Sequence, residues 1–273
     1  MTFASRAFRN IAVTIVVAAA LVSVNRLYDL ALRDAAFLSG WLLIVGMALL
    51  TIYNIRKKFP FLPLISVSAW LQAHIYVGWL VIVLFLLHTS FRLPNGPLEI
   101  ALWVLFVLVA VSGLAGLALS RTVPNRLNRH GERIIFERIP RFRARLAGEV
   151  EELAMRSVTE TSLNTISQYY ATRLQPYFRG PRNFFAHVVG SNAALIRLRR
   201  EIGSLEHYLD KQGKEILQEI AWRVAAKDNL DHQYALQWLL KGWLFVHIPL
   251  TYGLIVVAVV HAVLAYAFTP GTL

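Results

Sequence analysis

The sequence predicts an all-α membrane protein: a five-helix transmembrane bundle with a cytoplasmic helical insert between helices four and five. Apolar residues make up 56% of the 273 residues and charged residues only 16%, and the mean hydropathy is +0.51. This is more apolar than an ordinary soluble domain. Most apolar residues fall into five long stretches, and helix-period stripes occupy the region between the last two.

These patterns divide the chain into three segments. We expect transmembrane helices one to four in residues 1–120, a basic helical domain in 121–236 and transmembrane helix five in 237–273. The chain contains no cysteine. That excludes disulfides, covalently attached c-type haem, cysteine-ligated iron–sulfur clusters and thiol catalysis within this polypeptide. Any redox chemistry must therefore use histidine ligands or a bound organic cofactor.

Five apolar stretches predict the five membrane helices. They are almost free of charged residues, although Lys241 lies near the start of the fifth. The first stretch is short and follows Arg6 and Arg9, and we expect it to remain as a signal anchor. The stretches cover residues 11–24, 35–55, 64–91, 98–120 and 238–268.

The positions of lysine and arginine predict the orientation of the bundle, because cytoplasmic loops retain these residues during insertion. Cations precede helix one and follow helix two, and 19 lie between residues 121 and 227, after helix four. The opposite side has only Arg26, Arg33 and Arg92. We therefore expect a bacterial inner membrane protein with a cytoplasmic N-terminus, a cytoplasmic 121–236 region and an outside C-terminal tail.

Residues 121–236 are predicted to form a small helical domain. Four apolar stripes at helical spacing run through it, separated by Pro140, the Gly180-Pro181 pair and Gly213. Glycine-rich phosphate loops and nucleotide-binding fingerprints are missing, so we expect no flavin or nicotinamide site here. The stripes are Phe142, Leu146, Val150 and Leu153; Leu163, Ile166, Tyr170 and Leu174; Leu195, Leu198, Ile202, Leu205 and Leu209; and Ile216, Ile220 and Val224.

The positive charge of this region is concentrated where the chain leaves the membrane. Residues 121–145 contain 8 cations and 2 acids, a balance of +6, whereas residues 146–236 hold 11 of each sign. We interpret the excess as a flank that touches anionic lipid headgroups. The alternative is an interfacial or partner-docking helix at residues 134–142. Nucleic acid binding is not expected, because no recognition fold or aromatic stacking pattern accompanies the charge.

Four of the eight histidines lie in predicted membrane helices and are regularly spaced. His74 and His88 stand 14 residues apart on helix three, and His247 and His261 stand 14 apart on helix five. Fourteen residues advance an α-helix by about 21 Å and leave it about 40° short of four full turns, so each pair shares one face. Both helices run from the cytoplasm outwards. His74 can therefore face His247 at an inner level, and His88 can face His261 at an outer level.

This arrangement predicts two bis-histidine haems. A flat tetrapyrrole takes axial nitrogens above and below its plane, which two levels of facing imidazoles would supply. A single intramembrane histidine can merely bond a neighbouring helix, but helix packing gives no reason for equal spacing on two parallel helices. One four-histidine metal site is excluded by distance, because inner and outer histidines are too far apart to share an ion with bonds of about 2 Å.

Several neighbouring residues are candidates to support the haems. Gly78 and Gly253 could let a ring approach the backbone, although glycines are common in membrane helices. Arg92, one turn after His88, could pair with haem propionates or only snorkel to the interface. Lys241 has the corresponding position at the inner boundary. Pro249 should bend helix five beside the inner ligand.

The spacings His74-x13-His88 and His247-x13-His261 resemble the ferric reductase-like and NADPH oxidase membrane domain, and respiratory cytochrome b subunits use a similar pattern. The resemblance covers about half the chain and implies haem b ligation by these four histidines, with electron movement between the membrane faces. Full reductases have a sixth helix and a C-terminal flavin and nicotinamide domain, neither of which we expect within these 273 residues. Its connection between helices four and five is also unusually large.

The sequence therefore predicts a dihaem cytochrome b that serves as the electron-transfer subunit of a larger oxidoreductase. Expected partners are membrane lipid, a quinone pool and a second redox protein, which would carry flavin, an iron–sulfur cluster or a c-type cytochrome. The main alternative is a histidine-lined proton or metal transporter, which would be expected to place acidic residues and broken helices at the membrane midplane. A third possibility is a sensor or scaffold whose haems are structural.

Overall fold

The structure is a computed structural model that describes residues 3–58, 66–128, 133–160 and 164–268. Every described element is a helix, and five of them are long and apolar enough to cross a membrane, so the predicted all-α class with five spans is confirmed. The α-helices are α1 (Phe3–Leu30), α2 (Ala35–Lys58), α3 (Val67–His88), α4 (Pro97–Asn128), α5 (Ile139–Glu160), α6 (Thr165–Tyr169), α7 (Gln175–Phe178), α8 (Phe184–Val189), α9 (Ala193–Leu205) and α10 (Lys211–Phe268). Short 3-10 turns at Phe136–Arg138 and Glu206–Tyr208 and a π-helical turn at Tyr170–Leu174 complete the described elements.

The long helices extend beyond the predicted apolar stretches. Helix α1 continues six residues past the predicted end at residue 24, through Arg26 and Asp29. Helix α10 joins the predicted fourth stripe of the insert and the fifth apolar stretch in one helix of 58 residues, with Pro249 in its interior. Hydropathy marks the part of a helix that fits the hydrocarbon layer, whereas capping and breaking residues decide where the helix ends.

The chain divides into two compact units, and the first comprises Met1–Leu117 and Phe245–Leu273. Its hydrophobic core draws residues from α2, α3, α4 and α10. The rings of Phe85 and Phe106 stack at 3.8 Å between centroids. The buried members are Leu43, Met47, Val81, Leu84, Phe106, Leu254 and Ala258.

Helices α2 and α3 approach closely within this unit. A Cβ atom added to Gly46 would lie 2.6 Å from Cγ2 of Val81, a distance that real side chains do not adopt. Helix α3 begins after Ser66, whose hydroxyl accepts a hydrogen bond from the Ala69 amide at 3.3 Å, and α4 begins with Pro97, which suits the first helical position. These features fix where α3 and α4 begin.

The second unit, Ala118–Leu244, contains the described part of the predicted insert. The predicted segment limits at 120/121 and 236/237 lie inside α4 and α10, which each contribute to both units. All four predicted stripes supply core residues, although Leu163 lies outside the described residues. The buried core members are Val150, Leu153, Ile166, Leu174, Phe178, Ile202, Leu209, Ile216, Leu217, Ile220 and Val224.

Candidate functional site

His88 is the last residue of α3 and turns its ring towards the first turn of α2. Its Nδ1 lies 3.0 Å from the carbonyl oxygen of Ala36 and 3.4 Å from Oγ of Ser39. A carbonyl oxygen only accepts hydrogen bonds, so Nδ1 carries the proton and donates it. In the neutral ring, this leaves a lone pair on Nε2, which is the arrangement of a metal-ligating histidine.

The ring of His261, on α10, faces that of His88. The two ring centroids are 6.3 Å apart and the ring planes are nearly perpendicular, at 86°. An iron atom that bonds one nitrogen of each ring at about 2 Å would hold the ring centres about 6 Å apart. The separation of the predicted outer pair therefore fits a bis-histidine haem.

A cavity of about 440 Å³ is lined by both histidines and by residues of α2, α3, α4 and α10. This volume is in the range of cofactor sites. Its walls are largely apolar, and its polar lining residues include Asp34, Arg92 and Glu99. Arg92, the predicted partner of haem propionates, is thus placed on the lining of the same cavity as the outer histidine pair.

Glycine at position 40 allows the His88 ring to lie against α2. A Cβ atom at this position would be 3.0 Å from Cε1 and 3.3 Å from Nδ1 of His88. The sequence does not predict this contact of Gly40, because its partner His88 lies 48 residues away on another helix. At the predicted positions Gly78 and Gly253, an added Cβ would meet nothing within 4 Å, so the structure leaves open space beside both.

The predicted inner histidines are also placed within the first unit. His74 lies partly buried on α3, and His247 lies partly buried on α10. The Ser112 hydroxyl donates to the Val109 carbonyl at 2.8 Å, so its oxygen accepts from Nδ1 of His247 at 2.6 Å. His247 therefore has the same tautomer as His88, with the Nε2 lone pair left for a ligand bond.

Lys241, predicted at the inner boundary, has polar and aromatic neighbours in the second unit. Its Nζ donates to Oε1 of Glu137 at 2.6 Å and lies 4.1 Å from the centroid of the Phe136 ring. The Glu137 pKa is lowered chiefly by this hydrogen bond. The Lys241 charge is thus already balanced by a carboxylate of the same unit.

Within residues 3–58, 66–128, 133–160 and 164–268, no group of three or more His, Cys, Asp or Glu side chains could hold a metal ion. A bis-histidine haem needs only two protein ligands, because its ring supplies the other four nitrogens.

The second unit contains a buried polar network that the sequence patterns did not predict. Lys227 is fully buried, and its Nζ donates to Oδ2 of Asp231 at 2.5 Å and lies 3.8 Å from the Tyr177 ring centroid. The same carboxylate accepts from the Arg182 amide at 3.0 Å, and its Oδ1 lies 3.8 Å from Nε of Arg143. Burial lowers the pKa of the Lys227 ammonium group.

Two histidines of the insert, His187 and His232, belong to this network. The rings of His187 and His232 are 5.6 Å apart and perpendicular, and Nε2 of His187 is 3.7 Å from Oδ1 of Asp228. Burial raises the pKa of the Asp228 carboxyl. One signal was present in the sequence: residues 227, 228 and 231 continue the helical stripe of Ile216, Ile220 and Val224 with charged residues. The contacts join α5, α7, α8 and α10 within the second unit.

Comparisons with family models, curated proteins and solved structures found no match for this chain.

Proposed function

We propose that this protein is a membrane-embedded dihaem cytochrome b, the electron-transfer subunit of a larger oxidoreductase. The observation that carries the proposal is the outer histidine pair: His88 and His261 face each other at 6.3 Å beside a 440 Å³ cavity. The hydrogen bond from His88 to the Ala36 carbonyl leaves the ligating nitrogen available.

Haem b, when bound, supplies the reversible one-electron change of its iron. His88 and His261 would hold the outer haem, and His74 and His247 the inner haem. Because two histidines would hold each haem, the chain's contribution would be to orient these ligands and keep other molecules away from the metal. Arg92 lines the same cavity, and its guanidinium group would pair with the propionates of the outer haem.

The charge pattern predicts how the protein is oriented in its membrane. We propose a bacterial inner membrane with the N-terminus and residues 121–236 on the cytoplasmic side, because the cations of the chain concentrate in those segments. Electrons would then be exchanged with a quinone pool, or with a flavin, iron–sulfur or cytochrome c protein. Single-cysteine labelling with a membrane-impermeant maleimide tests the orientation directly, since the chain has no cysteine of its own.

An absorption spectrum of the purified protein tests the proposal. We expect a low-spin b-type spectrum that sharpens on reduction by dithionite, with about two haems per chain. His88→Ala and His261→Ala should each remove the outer haem, and His74→Ala and His247→Ala the inner one. His207→Ala, at an exposed position of the second unit, is the matched control and should leave the haem content unchanged. A folded preparation without haem would contradict the proposal and favour the transporter.

A further inference from the structure

An exposed aromatic group lies at the end of the second unit where α10 becomes apolar. The Phe184 ring of α8 packs edge-on against Trp238 at 5.3 Å, and the Phe185 ring packs against Phe184 at 5.4 Å. Phe185 is 82% exposed and Trp238 is 47% exposed. These three rings form the aromatic patch discussed below.

The position of Trp238 along α10 sets the level of this patch. Lys241 is the last lysine, arginine, aspartate or glutamate of α10, so residues 242–268 are the uncharged part of the helix. Twenty-seven helical residues extend about 40 Å, enough to cross a hydrocarbon layer of about 30 Å. Trp238 lies three residues before Lys241, at the charged end of this segment, so we expect it at the headgroup level, where tryptophan is enriched in membrane proteins.

Helix α8 is held in place by contacts within the second unit. The Arg126 guanidinium donates to the carbonyl oxygens of His187 and Val188 at 2.6 and 2.5 Å, which satisfies the carboxyl end of α8. Gly190, with φ of +82°, ends the helix. Arg182 lies two residues before α8; its side chain is exposed, and its Nη2 donates to the Pro176 carbonyl oxygen at 3.0 Å.

We infer that the aromatic patch on α8 is a membrane-surface contact, with Phe185 inserted at the headgroup and acyl-chain boundary of the bilayer that α10 crosses. Its exposed apolar ring gains from leaving water, and the neighbouring Arg182 matches anionic headgroups. The surface differs from residues 134–142, the interfacial segment considered from the sequence, where Phe136 stacks on Tyr234 at 5.1 Å. The inference does not depend on haem binding.

The full-length chain, reconstituted in vesicles that contain anionic lipid, allows a direct test. A nitroxide label on Phe185→Cys reports collisions with oxygen, which concentrates in lipid, and with a water-soluble nickel chelate. Trp222→Cys is the control. Trp222 is 70% exposed and lies on α10, 16 residues before Trp238, which places it about 24 Å from Trp238 along the helix axis. We expect oxygen collisions to dominate at position 185 and chelate collisions at position 222.

Two results would overturn the inference. If the chelate reaches position 185 as readily as position 222, the patch faces water. If both reagents are excluded from position 185, a protein surface covers it, either a partner subunit or a second copy of the chain. Should the spin label perturb the patch, a fluorescent label on the same cysteine provides a second measurement, because lipids brominated in their acyl chains quench it only at the predicted depth.

Discussion

Substituting Gly40 by alanine should weaken the outer haem site selectively. The added methyl carbon would stand 3.0 Å from Cε1 of His88, whereas ordinary contact begins at 3.4 Å, so the ring must retreat by about 0.4 Å (3.4 minus 3.0). Metal–ligand distances tolerate about 0.2 Å. The displaced ring would also strain its 3.0 Å hydrogen bond to Ala36. Disturbing a group that orients a ligand typically lowers metal affinity about 10–100-fold, or about 1.4–2.8 kcal/mol.

The assay is haem titration into apoprotein that carries His74→Ala, because this background retains the outer pair alone. Gly148→Ala is the matched control, since an added Cβ at this α5 position meets nothing within 4 Å. Circular dichroism and gel filtration should show that all variants are folded. Unchanged haem affinity in Gly40→Ala would refute the argument that this glycine sets the position of the ligand ring.

Three further predictions concern other contacts. Ser112→Ala removes the acceptor for Nδ1 of His247 and should lower the affinity for the inner haem about 10–100-fold. Ser112→Thr keeps the hydroxyl group and should retain this haem. Equal haem retention in both variants would contradict this role of Ser112. Gly46→Ala forces a methyl group against Val81 and should lower the free energy of unfolding by about 1–3 kcal/mol, with recovery in the double variant with Val81→Ala; a thermal melt of each variant decides the point. Burial raises the pKa of Tyr169 to about 12, so the folded state keeps a proton that the unfolded state loses above pH 10. The free energy of unfolding should therefore fall as the pH rises from 10 towards 12. If the melting temperature of a Tyr169→Phe variant falls with pH as steeply as that of the parent, this explanation is wrong.

The fold class followed from composition and periodicity because both are local properties. Long apolar runs must form helices in lipid, where every backbone amide needs a partner within the segment. The stripes of the insert were equally informative, since core residues at helical spacing came from each of them. Helix ends were less predictable: α10 joins two predicted segments because only Pro249 interrupts its 58 residues, and a membrane helix tolerates a proline.

The surroundings of the candidate ligands depended on tertiary contacts that spacing does not encode. The 14-residue interval indicated that His88 and His261 could face each other, but nothing in the sequence indicated that the Ala36 carbonyl would fix the His88 ring. The pair of His187 and His232 was not predicted for the same reason, since its members lie 45 residues apart on α8 and α10. Pairing of His74 with His247 stays a prediction.

The ring orientations of His88 and His247 differ in how easily a substitution could disturb them. His88 is held by a main-chain oxygen, which any amino acid at position 36 would supply. His247 is held by the Ser112 side chain, which only a few amino acids can replace. In homologous sequences, the hydrogen bond to His88 therefore does not restrict which amino acid stands at position 36. Position 112, in contrast, should be restricted to residues that carry a hydroxyl group.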